Sequence, residues 1–151
     1  PSTCIINVAS EASPGGTINF DDLGMESNYT AFGAYVQSKH ANIMFTYELA
    51  RRLAGSRVTT NAVHPGTVRS SFGEGFTGLV GFGFRMSRPL MRSPKRGAQG
   101  AIWLASSAEA EGITGKYFKD KKEIRSTSKS YDREKQTRLW EVSEAMTGVR
   151  W

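Results

Sequence analysis

Two short apolar runs bracket one long helical pattern, and that arrangement leaves the chain few folds to choose from. Cys4 to Ala9 is nearly continuous in apolar residues, broken only by Asn7. A run of this kind suits a strand buried on both faces of a parallel sheet. Val58 to Val63 reads as a second strand. Between them, apolar positions over Ala31 to Leu53 include Tyr35, Ile43, Met44, Phe45, Tyr47, Leu49, Ala50 and Leu53. That coverage is wider than one stripe and predicts a helix buried on more than one side. Asn28 or Thr30 can cap its start, Arg51 and Arg52 suit the negative end of its dipole, and Gly55 suits its stop. Strand, helix, strand makes a right-handed βαβ unit, so the fold class is α/β with a parallel sheet.

The connections and the C-terminal half are legible in outline. A polar loop runs from Glu11 to Gly16, and Gly15 to Asn28 reads as an excursion in which Ile18 and Phe20 alternate with polar neighbours as a short strand would. Arg69 to Pro94 is rich in Gly, Phe and Met, with Phe72, Phe76, Leu79, Phe82, Phe84, Met86 and Leu90. It suits an apolar lid over a substrate or, given Arg85, Arg88 and Arg92, a membrane-surface element. A helix is expected over 95–106, a turn and short strand over 112–118, a solvated charge run over 119–122 and an amphipathic helix over 132–146.

The polar residues that matter chemically stand at the ends of these elements. Ser10 closes the first strand, and in open α/β sheets ligands sit beyond the carboxyl ends of strands. Tyr35 and Lys39 are four apart near the start of the helix, so they share one face. An ammonium beside a phenol favours the phenolate, which makes a proton donor and acceptor usable near neutral pH. A Tyr–Lys pair alone would be an ordinary solvated helix face; its company is Ser10 upstream and His64-Pro65-Gly66-Thr67-Val68 after the second strand. Pro65 and Gly66 fix a turn that lets backbone groups approach a flat ligand closely. His64 is a weaker candidate for a base.

Composition closes several other routes. The length of 151 residues suits one domain, the single cysteine, Cys4, excludes an internal disulfide, and no apolar run is long enough to span a bilayer. No metal-ligand cluster is visible. The net charge of +6 is uneven: residues 1–75 carry five Lys/Arg and six Asp/Glu, residues 76–151 carry fifteen and eight. The cations of the basic half are dispersed among acids with no interleaved aromatic stripe, which speaks against a nucleic-acid partner. The composition fits a cytoplasmic globular domain, and the start at Pro1, directly before a strand, reads as a fragment.

The runs Ile5-Ile6-Asn7-Val8-Ala9-Ser10, Ala34-Tyr35-Val36-Gln37-Ser38-Lys39, Glu48-Leu49-Ala50-Arg51-Arg52-Leu53 and Val63-His64-Pro65-Gly66-Thr67-Val68, with Gly115-Lys116-Tyr117-Phe118 further on, carry a family likeness. Taken together they resemble the C-terminal half of a short-chain dehydrogenase/reductase of the retinol-dehydrogenase-like branch. The resemblance implies the C-terminal part of a doubly wound, Rossmann-type parallel sheet with flanking helices. It implies NAD(P)-dependent interconversion of an alcohol and a carbonyl, with Ser10, Tyr35 and Lys39 catalytic. Tyr35, Lys39, Pro65, Gly66, Thr67 and Val68 would meet the NAD or NADP cofactor. It also implies a small lipophilic alcohol, aldehyde or ketone as substrate, and a homo-oligomer formed through the helix at 31–53. The family's Gly-rich cofactor turn, its catalytic asparagine and its NAD/NADP-selecting residue have no counterpart in this stretch, since they lie upstream. The alternative reading is a non-catalytic remnant that serves as an oligomerisation or interaction module.

Overall fold

The computed structural model describes residues 3–10, 16–69 and 78–150. Strand β1 (Thr3–Val8) leads through a loop to helix α1 (Ala31–Arg52), which returns the chain to β2 (Val58–His64). Helix α2 (Gly78–Ser87) and a 3-10 turn at Arg88–Leu90 precede helix α3 (Pro94–Ser106). The short strands β3 (Tyr117–Lys119) and β4 (Lys122–Glu123) and helix α4 (Arg133–Thr147) complete the described chain. The sheet order is β1-β2-β3-β4, with β1, β2 and β3 parallel and β4 antiparallel to β3. The α/β fold expected from the βαβ pattern is therefore present.

Alternation along the strands divides the core between the two faces of the sheet. Ala9, Ala62 and Tyr117 pack with Ile43 and Tyr47 of α1, whereas Val63 and Phe118 pack with Leu104 of α3. The helices start where their caps put them. The hydroxyls of Thr30 and Ser93 and the carboxylate of Asp132 accept from the backbone N–H of Gly33, Arg96 and Lys135. Gly148, at φ 72°, closes α4 in the left-handed conformation that favours glycine.

Several expectations need correction. Ile18 and Phe20 form no strand. Local side chains hold that loop instead: Asn19 Oδ1 accepts from Asp21 N, and the Asp22 carboxylate accepts from Glu26 N and Ser27 N. The hydrogen bonds from Ser27 and then Glu26 hold the Asp22 carboxyl below the usual carboxylate range. Strand β1 is half-buried rather than buried on both faces, with Val8 47% exposed, because β2 is its only partner among the described residues. The Cys4 thiol sits within β1 and donates to Leu104 O. The second side of α1, which the resemblance assigns to a partner subunit, is partly covered by α4. Phe45 stacks on Trp140 with ring centroids 5.2 Å apart, and the Arg52 guanidinium lies 4.5 Å from the Trp140 ring centroid. The loop at 11–15, Phe72, Phe76 and the side chain of Phe84 lie outside the described residues.

Residues 119–122 are not a plain charge run. Lys119 pairs with Lys122, and Asp120 and Lys121 form the two-residue connection with positive φ of 51° and 64°. A tight hairpin with both central residues left-handed prefers Asp-Gly or Asn-Gly, because a Cβ in that region is strained. Lys121→Gly should therefore stabilise the fold by about 1 kcal/mol and raise the thermal midpoint by roughly 2–4 °C, read by circular dichroism. An unchanged or lower midpoint would contradict the assigned turn.

Candidate active site

Parallel pairing puts the ends of β1 and β2 at one level. Val8 lies opposite Val63, and Ala9 N donates to Val63 O at 2.9 Å. Ser10 follows directly and is buried at 8% exposure, while Pro65 follows His64 at the same end of the sheet. Helix α1 runs back against the strands, so its N-terminal turns return to that end. Tyr35 occupies the second turn and is half-buried.

Lys39 sits one turn beyond Tyr35, and its position is fixed by bonds across the fold. Its Nζ donates to Val8 O at 3.2 Å and lies 5.7 Å from the centre of the Tyr35 ring, within cation–π range. Asn42 Nδ2 donates to the same carbonyl at 3.0 Å. Asn7, which in the sequence only interrupts an apolar run, ties three elements together. Its Nδ2 donates to Thr46 Oγ1 at 3.0 Å on α1 and to Thr60 Oγ1 at 3.4 Å on β2. Thr46 Oγ1 in turn donates to Asn42 O at 2.7 Å. The residues singled out in the sequence therefore share one end of the sheet, and Asn7 and Asn42 hold Lys39's surroundings in place.

The turn after β2 is clamped from the other face. Gly66 has φ 82°, a conformation suited to glycine, and a Cβ there would lie 2.7 Å from Cδ and Nε of Arg92. Arg92 N donates to Thr67 O at 2.8 Å, and Arg69 N donates to Arg92 O at 2.9 Å. Val68 presses against Gly97 at the start of α3, where any side chain would overlap it. The Arg92 guanidinium bonds both carboxylate oxygens of Asp120, with Nη2 to Oδ2 at 2.8 Å. Pro65, Gly66, Thr67 and Val68 are thus held as a unit by α3 and the β3–β4 turn. None of Arg92, Gly97 or Asp120 carries a recognisable signal in the sequence.

Two cavities flank this end of the sheet. One, of about 640 Å³, is walled by Gly33, Val36 and Gln37 of α1 and by Asp21, Asp22 and Met25 of the preceding loop. The other, of about 400 Å³, lies between His64-Pro65, Arg92, Arg96, Gln99 and the Asp120-Lys121 turn. The buried His64 stands in the wall of the second cavity. The donors on the α1 side fit one end of a dinucleotide. An ammonium offers three N–H groups, of which the bond to Val8 O uses one, and the Tyr35 ring centre lies 5.7 Å from it. Among the described residues no Gly-rich strand-to-helix turn offers a pyrophosphate cradle, and no cluster of His, Cys, Asp and Glu suits a metal ion.

The fold and this cluster define an α/β protein whose polar groups gather beyond parallel strand ends. A family model described as enoyl-(acyl carrier protein) reductase matches residues 4–119. The chain belongs to the short-chain dehydrogenase/reductase family, in the retinol-dehydrogenase-like branch. It is 42% identical over 154 residues to human retinol dehydrogenase 14, covering 96% of this chain and 44% of that protein. Human retinol dehydrogenase 12 is 40% identical, with 97% and 46% covered, and zebrafish (Danio rerio) polyprenol dehydrogenase 34% identical, with 99% and 48% covered. A crystal structure of an uncharacterized protein from Mycobacterium paratuberculosis superposes with a TM-score of 0.69 at 27% identity, over 99% of this chain and 52% of that one. The chain spans about half the length of the curated relatives it matches.

The hydrogen bonds from Arg92, and then its charge, hold the Asp120 carboxyl below its usual value of 3.8. A depressed folded value means the pairing contributes fully above the ordinary carboxylate range and is lost as pH falls through the lower folded value. A carbon-detected NMR titration should place the Asp120 midpoint below 3.8, and Arg92→Gln should return it toward that value. A wild-type midpoint at or above the ordinary value would show that the clamp does not form in solution.

Proposed function

We propose that the chain is the catalytic half of an NAD(P)-dependent oxidoreductase that interconverts a small lipophilic alcohol and its aldehyde or ketone. The observation that carries this reading is the Lys39 ammonium, fixed on Val8 O and against the Tyr35 ring at the strand end that Ser10 closes. The dinucleotide supplies and accepts the hydride when bound. In the reducing direction Tyr35 gives its hydroxyl proton to the carbonyl oxygen, and in oxidation it takes the alcohol proton back. Lys39 stabilises the phenolate left behind and directs its remaining N–H groups toward the cofactor's ribose. Ser10 donates a hydrogen bond to the substrate oxygen as negative charge grows on it. The turn from Pro65 to Val68 offers backbone groups to the nicotinamide end. The names of the relatives, retinol and polyprenol dehydrogenases, support a lipophilic substrate.

A second reading, an interaction module without catalysis, draws support from the one-sided pairing of β1. The two separate experimentally. Joined to the N-terminal half of human retinol dehydrogenase 14, the chain should reduce lipophilic aldehydes. Tyr35→Phe should then lower turnover by about 10²–10⁴-fold with cofactor affinity kept, because only the transferable proton is removed. Lys39→Ala should impair both. Full activity in the Phe variant would overturn Tyr35 as the acid. The 151-residue chain alone should bind either cofactor more weakly than about 1 mM by calorimetry, since no pyrophosphate cradle stands among its described residues.

A further inference from the structure

Helix α2 presents large apolar side chains to water. Gly81 is buried, whereas Leu79, Phe82 and Met86 are 90%, 58% and 66% exposed. Their i, i+3, i+7 spacing places them on one face, and a Cβ built at Gly83 would meet nothing within 4 Å. The stripe continues past the helix to Leu90, 89% exposed, in the turn Arg88–Leu90. A helix of a water-soluble domain normally shows the reverse pattern, with its large apolar side chains toward the core. A contiguous outward apolar face of this kind marks an interaction surface.

Charge identifies the partner. From Gly78 to Ala108 the sequence holds Arg85, Arg88, Arg92, Lys95 and Arg96 and no Asp or Glu. Arg92 is engaged with Asp120, and Arg85, Arg88, Lys95 and Arg96 are exposed. We propose that α2 and the turn after it dock on an anionic lipid surface, with Leu79, Phe82, Met86 and Leu90 in the outer acyl layer and the arginines among the headgroups. An outward apolar stripe flanked by cations is what an interfacial helix requires. At 10 residues, α2 is about 15 Å long and lies along a bilayer instead of crossing it. A second copy fits less well. A two-fold contact through this face would set its own arginines near one another with no acid from the same stretch to neutralise them. Closure over a substrate would cover Leu79, Phe82, Met86 and Leu90, and these four are exposed.

Flotation of the 151-residue chain with phosphatidylcholine vesicles, alone or with about one third phosphatidylserine, tests the assignment. The chain should float with the anionic vesicles, less with the neutral ones, and less as salt is added. Arg85→Glu with Arg88→Glu should weaken partitioning by about thirty-fold, from roughly fivefold per basic residue. Leu79→Asp with Phe82→Asp should abolish it. Both pairs are exposed, so circular dichroism melting should match the wild type. Wild-type chain that stays in solution, or that floats equally on neutral vesicles, would overturn the proposal. So would flotation that survives Leu79→Asp with Phe82→Asp. A dimer by light scattering that Phe82→Asp returns to monomer would assign the face to a second copy instead.

Discussion

The parallel pairing of β1 with β2 in the register Val8 opposite Val63 sets the position of every residue at the candidate site. It brings Ser10 and Pro65 to one level, and the crossover through α1 must then return Tyr35 and Lys39 to the same end. Registers slip easily when nothing fixes them, and a one-residue slip sends each side chain to the opposite face. Asn7 fixes this one. Its amide bonds Thr60 on the neighbouring strand and Thr46 on the covering helix, and a slip would break both bonds and leave a polar group against the apolar core. The polar residue that weakens the strand pattern is therefore what specifies the strand's alignment.

What the sequence made legible is what depends on near neighbours. The extents of α1, α3 and α4 follow from apolar periodicity, and the start of α1 from its cap at Thr30. Ser10, Tyr35 and Lys39 could be placed at one end of the sheet because the βαβ rule has a fixed hand. The clamp on Pro65–Val68 was not legible, since Arg92 and Asp120 are 28 residues apart and no periodicity links them. The β3–β4 turn was missed because Asp120-Lys121 lacks the glycine that announces such turns. Ile18 and Phe20 misled for a related reason: two alternating residues have no strand to pair with when Asn19 and Asp22 bond their own backbone.

The mismatch at β1 has a different origin. Its residues carry the apolar continuity of a strand covered on all sides, yet it is half-buried at the edge of the described sheet. Beside it, an apolar groove of about 310 Å³ is lined by Ile5, Phe45, Leu49, Trp140 and Val149. The relatives are about twice as long as this chain. The pattern of β1 is in keeping with a sheet that continues on that side, which an edge strand of this composition needs if it is not to recruit other strands.

The hydrogen bonding of β1 limits how far such a continuation could run. Thr3 N and Ala9 N both donate to carbonyls at the β2 side, at Arg57 and Val63, so odd-numbered residues face β2 and even-numbered ones face the open side. Cys4 and Ile6 can therefore pair with an added strand. Val8 cannot do so fully, because Lys39 and Asn42 already donate to its carbonyl, which has two lone pairs. A neighbouring strand would lose its ladder near Val8 and diverge there, opening a crevice at the level of Ser10. Open α/β sheets bind ligands in such a crevice, outside the carboxyl ends of their strands. The contact that steadies the Lys39 ammonium would then also keep the space in front of it clear.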